Sequence, residues 1–144
     1  MAVVFRNQPL PFHDHAMDAA IAFQAANRQG KAWAMHDKMF ANQGALTRAD
    51  LDKYAKEIFG LDAAKFAKDM DDSTTKDEVL ADQKLGTSVG AAGTPTFFIN
   101  GHQLVGAQPF EKFKALIDEE IKQADALIKA GTPLADVYKK RCAG

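Results

Sequence analysis

The sequence predicts an α/β fold in which several helices lie between a short first strand and a later β-hairpin. Ala2–Arg6 is an apolar, β-branched run of the kind that parallel sheets bury. Segments with apolar residues at helical spacing follow, to about residue 90. Pro95 then opens the apolar run Thr96–Ile99, and Asn100-Gly101, the strongest short-range hairpin signal, closes it. These three observations indicate a mixed domain with a small sheet.

Length and charge limit the classes of function. A chain of 144 residues is long enough for one domain with one core. Its net charge of −1 gives no electrostatic footprint for nucleic acid. No apolar run approaches the ~20 residues that span a bilayer, and Met1-Ala2 leads into the first strand without a signal-peptide pattern. We therefore expect a globular domain with no nucleic-acid partner.

Start and stop signals divide the helical region. Thr47 followed by Asp50 resembles a capping box with aspartate in place of glutamate. Gly30 ends the first helix. The expected helices are Asp14 to about Arg28, about Lys31–Asn42, Thr47 to near Gly60, Asp62 to about Met70, and Ser73 or Thr74 to about Ser88.

The C-terminal third predicts a hairpin followed by two helices. The strands are Thr96–Ile99 and Gln103–Val105, and Pro109 stands at the first position of a helix, where its missing N–H is harmless. That helix is expected to reach about Ala130 and to bury Phe110, Phe113, Leu116, Ile117 and Ile121. Thr132-Pro133 begins a last short helix.

Several motifs resemble one family. The string GTPTFFINGHQLVGAQP, from Gly93 to Pro109, resembles the cis-proline loop, hairpin and closing turn of DsbA-like thioredoxin-fold oxidoreductases. Val3–His13 resembles the strand and exit loop after that family's active-site helix, and Lys31–Gln43 resembles part of its helical insertion. The resemblance covers about residues 3–121. It implies a thioredoxin-like α/β fold, a single domain over residues 1–144, and a helical insertion at about 13–90.

The redox centre of the family is not in this sequence. The resemblance places its Cys-x-x-Cys pair on a helix upstream of the first residue, whereas the chain has one cysteine, Cys142. Because a dithiol–disulfide cycle needs two sulfurs, the chain is expected to be inactive in isolation, with no catalytic residue present. We expect a piece that lacks the N-terminal strand and the active-site helix of a larger protein. The parent implied is a periplasmic or otherwise extracytoplasmic thiol–disulfide oxidoreductase, without a cofactor, that acts on protein disulfides and is served by a redox partner protein.

Thr94 and Pro95 are the candidate substrate-binding residues. An X-Pro bond at the mouth of a strand is a candidate cis bond, because proline lowers the trans preference to roughly 0.5–1 kcal/mol. A bend there exposes the backbone of Thr94. The resemblance implies that this backbone binds protein or peptide thiols and disulfides. The alternative is that Pro95 is a simple strand-start proline.

The same resemblance predicts open strand edges. In a thioredoxin-like domain, the strand that leads to the cysteine motif lies between the strands resembling Ala2–Arg6 and Thr96–Ile99. Without it, both strands would have unpaired edges, which favour pairing with another chain. We expect either a homodimer through these edges, including a domain swap, or a rearrangement in which the two strands meet.

Other residue patterns are weaker. Cys142 follows Lys139, Lys140 and Arg141, and nearby cations lower a thiol pKa, but an exposed tail thiol is the simpler interpretation. The histidines are scattered, so we predict no metal site. Phe97 or Phe98 could line a peptide groove, although both more simply face buried layers.

Two further functions stay open. One is a redox-inactive thioredoxin-fold module that binds a peptide or a partner protein. The other is a relative from the glutathione-dependent isomerase branch of the same fold.

Overall fold

The computed structural model describes residues 2–142, which form seven helices and one two-stranded sheet. The helices are α1 (Ala16–Asn27), α2 (Ala32–Ala41), α3 (Arg48–Glu57), α4 (Ala63–Asp71), α5 (Ser73–Ser88), α6 (Phe110–Lys129) and α7 (Leu134–Cys142). The strands are β1 (Thr96–Ile99) and β2 (His102–Val105). The chain divides into two compact units, one ending at Ala92 and the other beginning at Gly93. Within residues 2–142, no helix combines the length and the apolar character that crossing a bilayer requires.

Helix α1 is the centre of the first unit and packs against α2, α3, α4 and α5. Ala22, Ala25 and Ala26 are fully buried on it, and such small side chains let neighbouring helices approach closely. The largest fully buried side chains around it are Phe66, Met35, Leu51 and Val79. The predicted helical region therefore has its own hydrophobic core.

Two of the predicted helix starts are confirmed in detail. Thr47 N–H donates to Asp50 Oδ2 at 3.0 Å, and Asp50 N–H donates to Thr47 Oγ1, which completes the capping box of α3. Asp62 caps α4 by accepting from the N–H groups of Ala64 and Lys65. The hydrogen bonds from Thr47 lower the pKa of the Asp50 carboxyl.

Asp14 does not begin the first helix, which was predicted to start there. Helix α1 begins at Ala16, and the residue before it, His15, forms no side-chain cap. For α5, which begins at Ser73 as expected, the capping side chain is the preceding Asp72, whose carboxylate accepts from Thr74 N–H at 2.9 Å. An aspartate in the position before a helix can satisfy an N–H that a serine inside the helix cannot reach.

The predicted first strand, Ala2–Arg6, is wrong. Residues 2–10 contain no strand, and Val3 and Val4 are exposed. An apolar, β-branched pattern favours extended backbone, but a strand also needs a neighbour that accepts and donates along its length. Within residues 2–142 the only sheet is β1 with β2, so the expected rearrangement in which Ala2–Arg6 meets Thr96–Ile99 is absent.

Side chains of α5 hold this N-terminal segment instead. The Asp82 carboxylate, 5% exposed, accepts from Asn7 N–H at 3.0 Å, Asn7 Nδ2 at 3.2 Å and Arg6 Nη1 at 2.9 Å. Gln83 Nε2 donates to Pro9 O at 2.8 Å. Asn7 is buried, so its backbone N–H depends on Asp82. One carboxylate on α5 thus replaces a strand ladder as the partner of this segment.

The second unit is a hairpin with two helices. Strands β1 and β2 pair antiparallel, with Phe97 opposite Leu104 and Ile99 opposite His102. Phe97 packs edge-on against Phe113 of α6, at 4.8 Å between ring centroids. Strand β2 begins one residue earlier than predicted, at His102.

The predicted buried face of α6 is wrong in part. Phe110 and Ile121 are exposed, while Phe113, Leu116 and Ile117 are half-buried. Among the described residues of its own unit, the elements that α6 packs against along its length are α7 and β1, and these two short elements cannot cover a full apolar stripe on a helix of 20 residues.

Glu120 is the buried residue of α6 and joins four parts of the unit. Its side chain, 3% exposed, accepts from Arg141 Nε of α7 at 3.0 Å and from Asn100 Nδ2 of the hairpin turn at 3.2 Å. His102 Nε2 of β2 lies 3.1 Å from its Oε1. The hydrogen bond from Arg141 is the main reason that the pKa of Glu120 is lowered. A buried charge with this many donors fixes the hairpin against both helices.

Replacing Asp82 by alanine should destabilise the first unit. The change leaves the buried N–H of Asn7 without a partner, which costs about 1–3 kcal/mol. Urea unfolding followed by fluorescence of Trp33, the single tryptophan, measures the effect. Asp77→Ala, an exposed carboxylate on the same helix, is the matched control and should leave the free energy of unfolding nearly unchanged. Equal losses in the two variants would refute the role of Asp82.

Acid should destabilise the second unit by protonating Glu120. Because its pKa is lower in the folded state, Glu120 stabilises the unit above the ordinary glutamate pKa of about 4.3, and this stabilisation disappears as pH falls through the lowered folded value. Hydrogen exchange of the β1 and β2 amides, measured between neutral pH and pH ~3 and corrected for intrinsic rates, reports the opening. Glu120→Gln should remove this pH dependence, whereas Glu119→Gln, an exposed neighbour, should retain it. If the pH dependence persists in Glu120→Gln, another titratable group must cause it.

Candidate functional site

The loop before β1 presents the two predicted substrate-binding residues at the surface. The Thr94–Pro95 peptide bond is cis, and both residues are exposed. Thr96 Oγ1 donates to Gly93 O at 2.7 Å, and Gly106 N–H donates to Pro95 O at 2.8 Å. These two bonds fix the loop on both sides of Thr94. Within residues 2–142, no hydrogen bond uses the peptide groups of Thr94 itself.

The far end of the hairpin is the turn that the sequence predicted. Asn100 has φ 48° and Gly101 has φ 94°. Positive φ at both central residues defines the type I′ turn, whose twist matches that of the strands, and Asn-Gly is its preferred sequence. Because Glu120 binds Asn100 and contacts His102, this turn is tied to α6 and α7. The hairpin therefore connects the exposed loop to a rigid support.

A second turn closes the hairpin. Gly106 has φ 83°, in the region that glycine adopts without strain. Gln108 Nε2 donates to Val105 O at 2.8 Å, and Pro109 then precedes the first residue of α6. The exit of β2 is thus fixed next to the residue, Gly106, that binds Pro95.

The two phenylalanines of β1 lie on opposite faces of the sheet. Phe97 contacts α6, whereas Phe98 shares the other face with Thr96 and Val105. Phe98 is 44% exposed and Val105 is 57% exposed. The expectation that both phenylalanines face buried layers is therefore wrong: Phe97, although it packs against Phe113, is 39% exposed, and Phe98 is more exposed still. The face of Phe98 supplies apolar surface on the strand that follows the Thr94 loop.

Cys142 is exposed on the last turn of α7. A hydrogen bond with Cys142, and the negative charge that the thiolate form of Cys142 carries, raise the pKa of the Tyr138 hydroxyl. Since the sequence holds no other cysteine, no thiol pair can form within residues 1–144.

The structure does not gather the four histidines into one site. The His13 ring is tilted by 58° against that of Phe12, His36 contacts Asp37 at 3.0 Å, and His102 contacts Glu120. In residues 2–142, no three side chains of the metal-binding types lie close enough to hold an ion.

Sequence reasoning missed Glu120, although a signal was present. Phe113, Leu116 and Ile117 lie at the apolar spacing of one helix face, and Glu120 occupies the next position of that series. A carboxylate at a core-facing position requires partners, and Arg141 and Asn100 are such partners far apart in sequence. The pattern could have flagged the residue but not identified what it binds.

An aromatic ladder on the first unit was also not anticipated. It consists of Phe5, Trp33, His36 and Phe40, with His36 and Phe40 stacked at 4.3 Å between ring centroids. Trp33 and Phe40 are at least half exposed. A neighbouring surface pocket of about 560 Å³ is lined by Lys31, Lys38 and Phe59 among others. Lys38 is paired with Glu57 at 2.8 Å.

Proteins named as Na(+)/H(+) antiporters resemble this chain. NhaA of Herminiimonas arsenicoxydans is 38% identical over 76% of the chain, but the match covers 17% of that protein. NhaA 3 of Salinispora tropica is 36% identical over 79% of the chain and 18% of its own length. The chain therefore spans less than a fifth of the curated relatives it matches. No solved structure matches it.

A family profile identifies the domain itself. The profile described as the DSBA-like thioredoxin domain matches residues 5–118, which include the helices of the first unit, the Thr94–Pro95 loop and the hairpin. The predominantly helical structure with a small sheet is consistent with that fold. The chain therefore belongs to the DsbA-like thioredoxin domain family.

Proposed function

We propose that this chain provides the peptide-binding side of a DsbA-like thiol–disulfide oxidoreductase that acts on protein disulfides. The supporting observation is the exposed loop at Thr94 and Pro95, in which the peptide groups of Thr94 have no partner within residues 2–142. Open peptide groups beside an apolar strand face suit an extended peptide, whose backbone supplies matching donors and acceptors. Phe98 and Val105 add apolar contact surface.

The exchange chemistry needs sulfurs that residues 1–144 do not contain. In thiol–disulfide exchange, a thiolate attacks one sulfur of a disulfide, the other sulfur leaves as a thiolate, and a second thiol resolves the mixed disulfide. One dithiol is oxidised as one disulfide is reduced. Cys142 is a single thiol, so the proposal assigns binding of the protein substrate, and not sulfur transfer, to the residues described. It places the complete enzyme outside the cytoplasm, in the periplasm or an equivalent compartment, with a redox partner protein.

A second candidate function follows from the relatives. Proteins named as Na(+)/H(+) antiporters are 36–38% identical to this chain over about three quarters of its length. Their names point to a cation antiporter as the partner if the chain is instead a redox-inactive module that binds a partner protein through the same loop. The two functions differ in whether a cysteine pair acts next to Thr94.

Replacing Thr94 by arginine should weaken peptide binding. The probe is an extended cysteine-containing peptide with its thiol alkylated, titrated into the labelled chain and followed by amide NMR shifts. We expect shifts at Thr94 and along β1, and a tenfold or greater loss of affinity in Thr94→Arg, because the arginine side chain covers the open peptide groups; tenfold corresponds to about 1.4 kcal/mol. Thr87→Arg, an exposed threonine of α5, is the matched control. Equal affinities in the two variants, or shifts only elsewhere, would exclude this loop.

The chain alone should not catalyse disulfide reduction. With dithiothreitol as reductant, insulin should precipitate no faster with the chain, or with its Cys142→Ser variant, than with buffer. Acceleration that depends on Cys142 would contradict the assignment of binding without sulfur transfer. Calorimetric binding of glutathione would instead favour the isomerase branch of the fold.

A further inference from the structure

We propose that the surface groove between α2 and the turn Ile58–Leu61 binds an apolar helical segment of a partner protein, with a carboxylate of that segment on the Lys31 ammonium. The groove has a volume of about 560 Å³ and lies within the first unit. This inference does not depend on the proposed function. It rests on the shape of the groove, on the exposure of Phe59 and on the charge of Lys31.

Helix α2 forms one side and the floor of the groove. Ala34 and Ala41 are exposed on the same face of α2, about two turns apart, and their short side chains leave the hollow open. Lys38 lies between them and is held by its ion pair with Glu57 of α3 at 2.8 Å. The floor is therefore about 10 Å long, at ~1.5 Å per helical residue, and has room for two turns of a second helix.

The turn between α3 and α4 raises Phe59 beside this floor. Leu61 N–H donates to Ile58 O at 3.2 Å, and Gly60 has φ 73°, so Phe59 and Gly60 occupy the centre of a tight turn. Ile58 is buried in the core, whereas Phe59 is 96% exposed and lines the groove. A phenylalanine fixed on a turn buries its large apolar surface only when another molecule covers it, and aromatic side chains dominate interface energetics.

Lys31 supplies the charge that selects the partner. Its side chain is half-buried, and its Nζ lies beside Gly60, 3.0 Å from the place that a Cβ atom would occupy. In the part of the chain that the structure describes, no carboxylate pairs with Lys31, whereas Lys38 and Asp37 each have a partner. A partly desolvated ammonium without a counter-charge is stabilised by an incoming carboxylate, so the groove prefers an acidic segment.

Asp37 sets the direction of that segment. It lies about 9 Å from Lys31 along the axis of α2, and its side chain is 79% exposed. The complementary helix face carries a carboxylate at one end, apolar side chains in the middle and a cation at the other end. A second copy of the chain would present the same concave surface, and a small carboxylate is too small to cover Phe59. A convex helical ridge fills the floor and covers the ring together.

The first experiment locates binding. The probe is an alanine-rich helical peptide of about 20 residues with blocked ends, in which glutamate, two leucines and lysine occupy positions i, i+3, i+4 and i+7 of one face. Titrated into the isotope-labelled whole chain, it should shift the amide NMR signals of residues 31–42 and 58–60. Shifts confined to other residues, or no binding at peptide concentrations up to ~1 mM, would overturn the proposal.

A double-mutant cycle tests the ion pair separately from folding. Replacing the glutamate of the peptide by glutamine should weaken binding to the wild-type chain about threefold, as expected for a partly exposed ion pair. The same replacement should have no effect on binding to Lys31→Met, which keeps the apolar stem but has no charge. Lys76→Met, which changes an exposed lysine of α5, is the matched control and should retain the loss. An equal loss in Lys31→Met would refute the pairing.

The last experiment tests Phe59 and the other possible occupants. Phe59→Ser should weaken peptide binding about tenfold, whereas Phe12→Ser, which removes a phenylalanine that is 72% exposed outside the groove, should bind as the wild type does. Circular dichroism verifies that each variant folds. Self-association in sedimentation velocity that Phe59→Ser abolishes would identify a second copy as the occupant, and tighter binding of 4-phenylbutyrate than of the peptide would identify a small carboxylate. Either result would overturn the assignment to a partner protein.

Discussion

Backbone outside helices needs hydrogen-bond partners from other segments, and this requirement determines how the chain is built. A helix satisfies most of its peptide groups internally, whereas an extended segment must find its partners elsewhere. Within residues 2–142, the two strands and the segment at residues 5–9, which belongs to no helix or strand, depend on such partners. Residues 5–9 find theirs in Asp82 and Gln83 of α5, and Thr96–Ile99 finds half of its own in β2. Within residues 2–142, no hydrogen bond uses the other half or the peptide groups of Thr94.

Two buried carboxylates have parallel roles in the two units. Asp82 binds the N-terminal segment to α5, and Glu120 binds the hairpin turn to α6 and α7. Each accepts from an asparagine and from an arginine, so its charge is balanced and its oxygens are used. Such groups contribute specificity as well as stability, because an alternative arrangement would leave a buried charge unpaired. They hold in place segments that the small apolar surfaces around them could not fix alone.

Much of the helical framework could be predicted from sequence because its signals are local. The capping box at Thr47 and Asp50, the cap at Asp62 and the Asn100-Gly101 turn depend only on neighbouring residues, and all three are confirmed. The first strand could not be predicted correctly, since membership of a sheet depends on a distant partner that no local pattern reveals. The partners of Glu120 were missed for the same reason: Arg141 is 21 positions away. The roles of Thr94 and Pro95 came from a family resemblance, and they stay predictions.

The loop and the edge of β1 that faces away from β2 are consecutive along one strand, so any occupant of one affects the other. A peptide bound at Thr94 that continues along β1 would use the N–H and C=O groups of Thr96 and Phe98, which point away from β2. In a thioredoxin-like domain, the strand that leads to the cysteine motif lies along this same edge of the strand resembling Thr96–Ile99. A peptide could therefore add a strand to β1 only by displacing that strand, whereas a peptide that contacts the loop alone, through the peptide groups of Thr94, would leave the sheet intact.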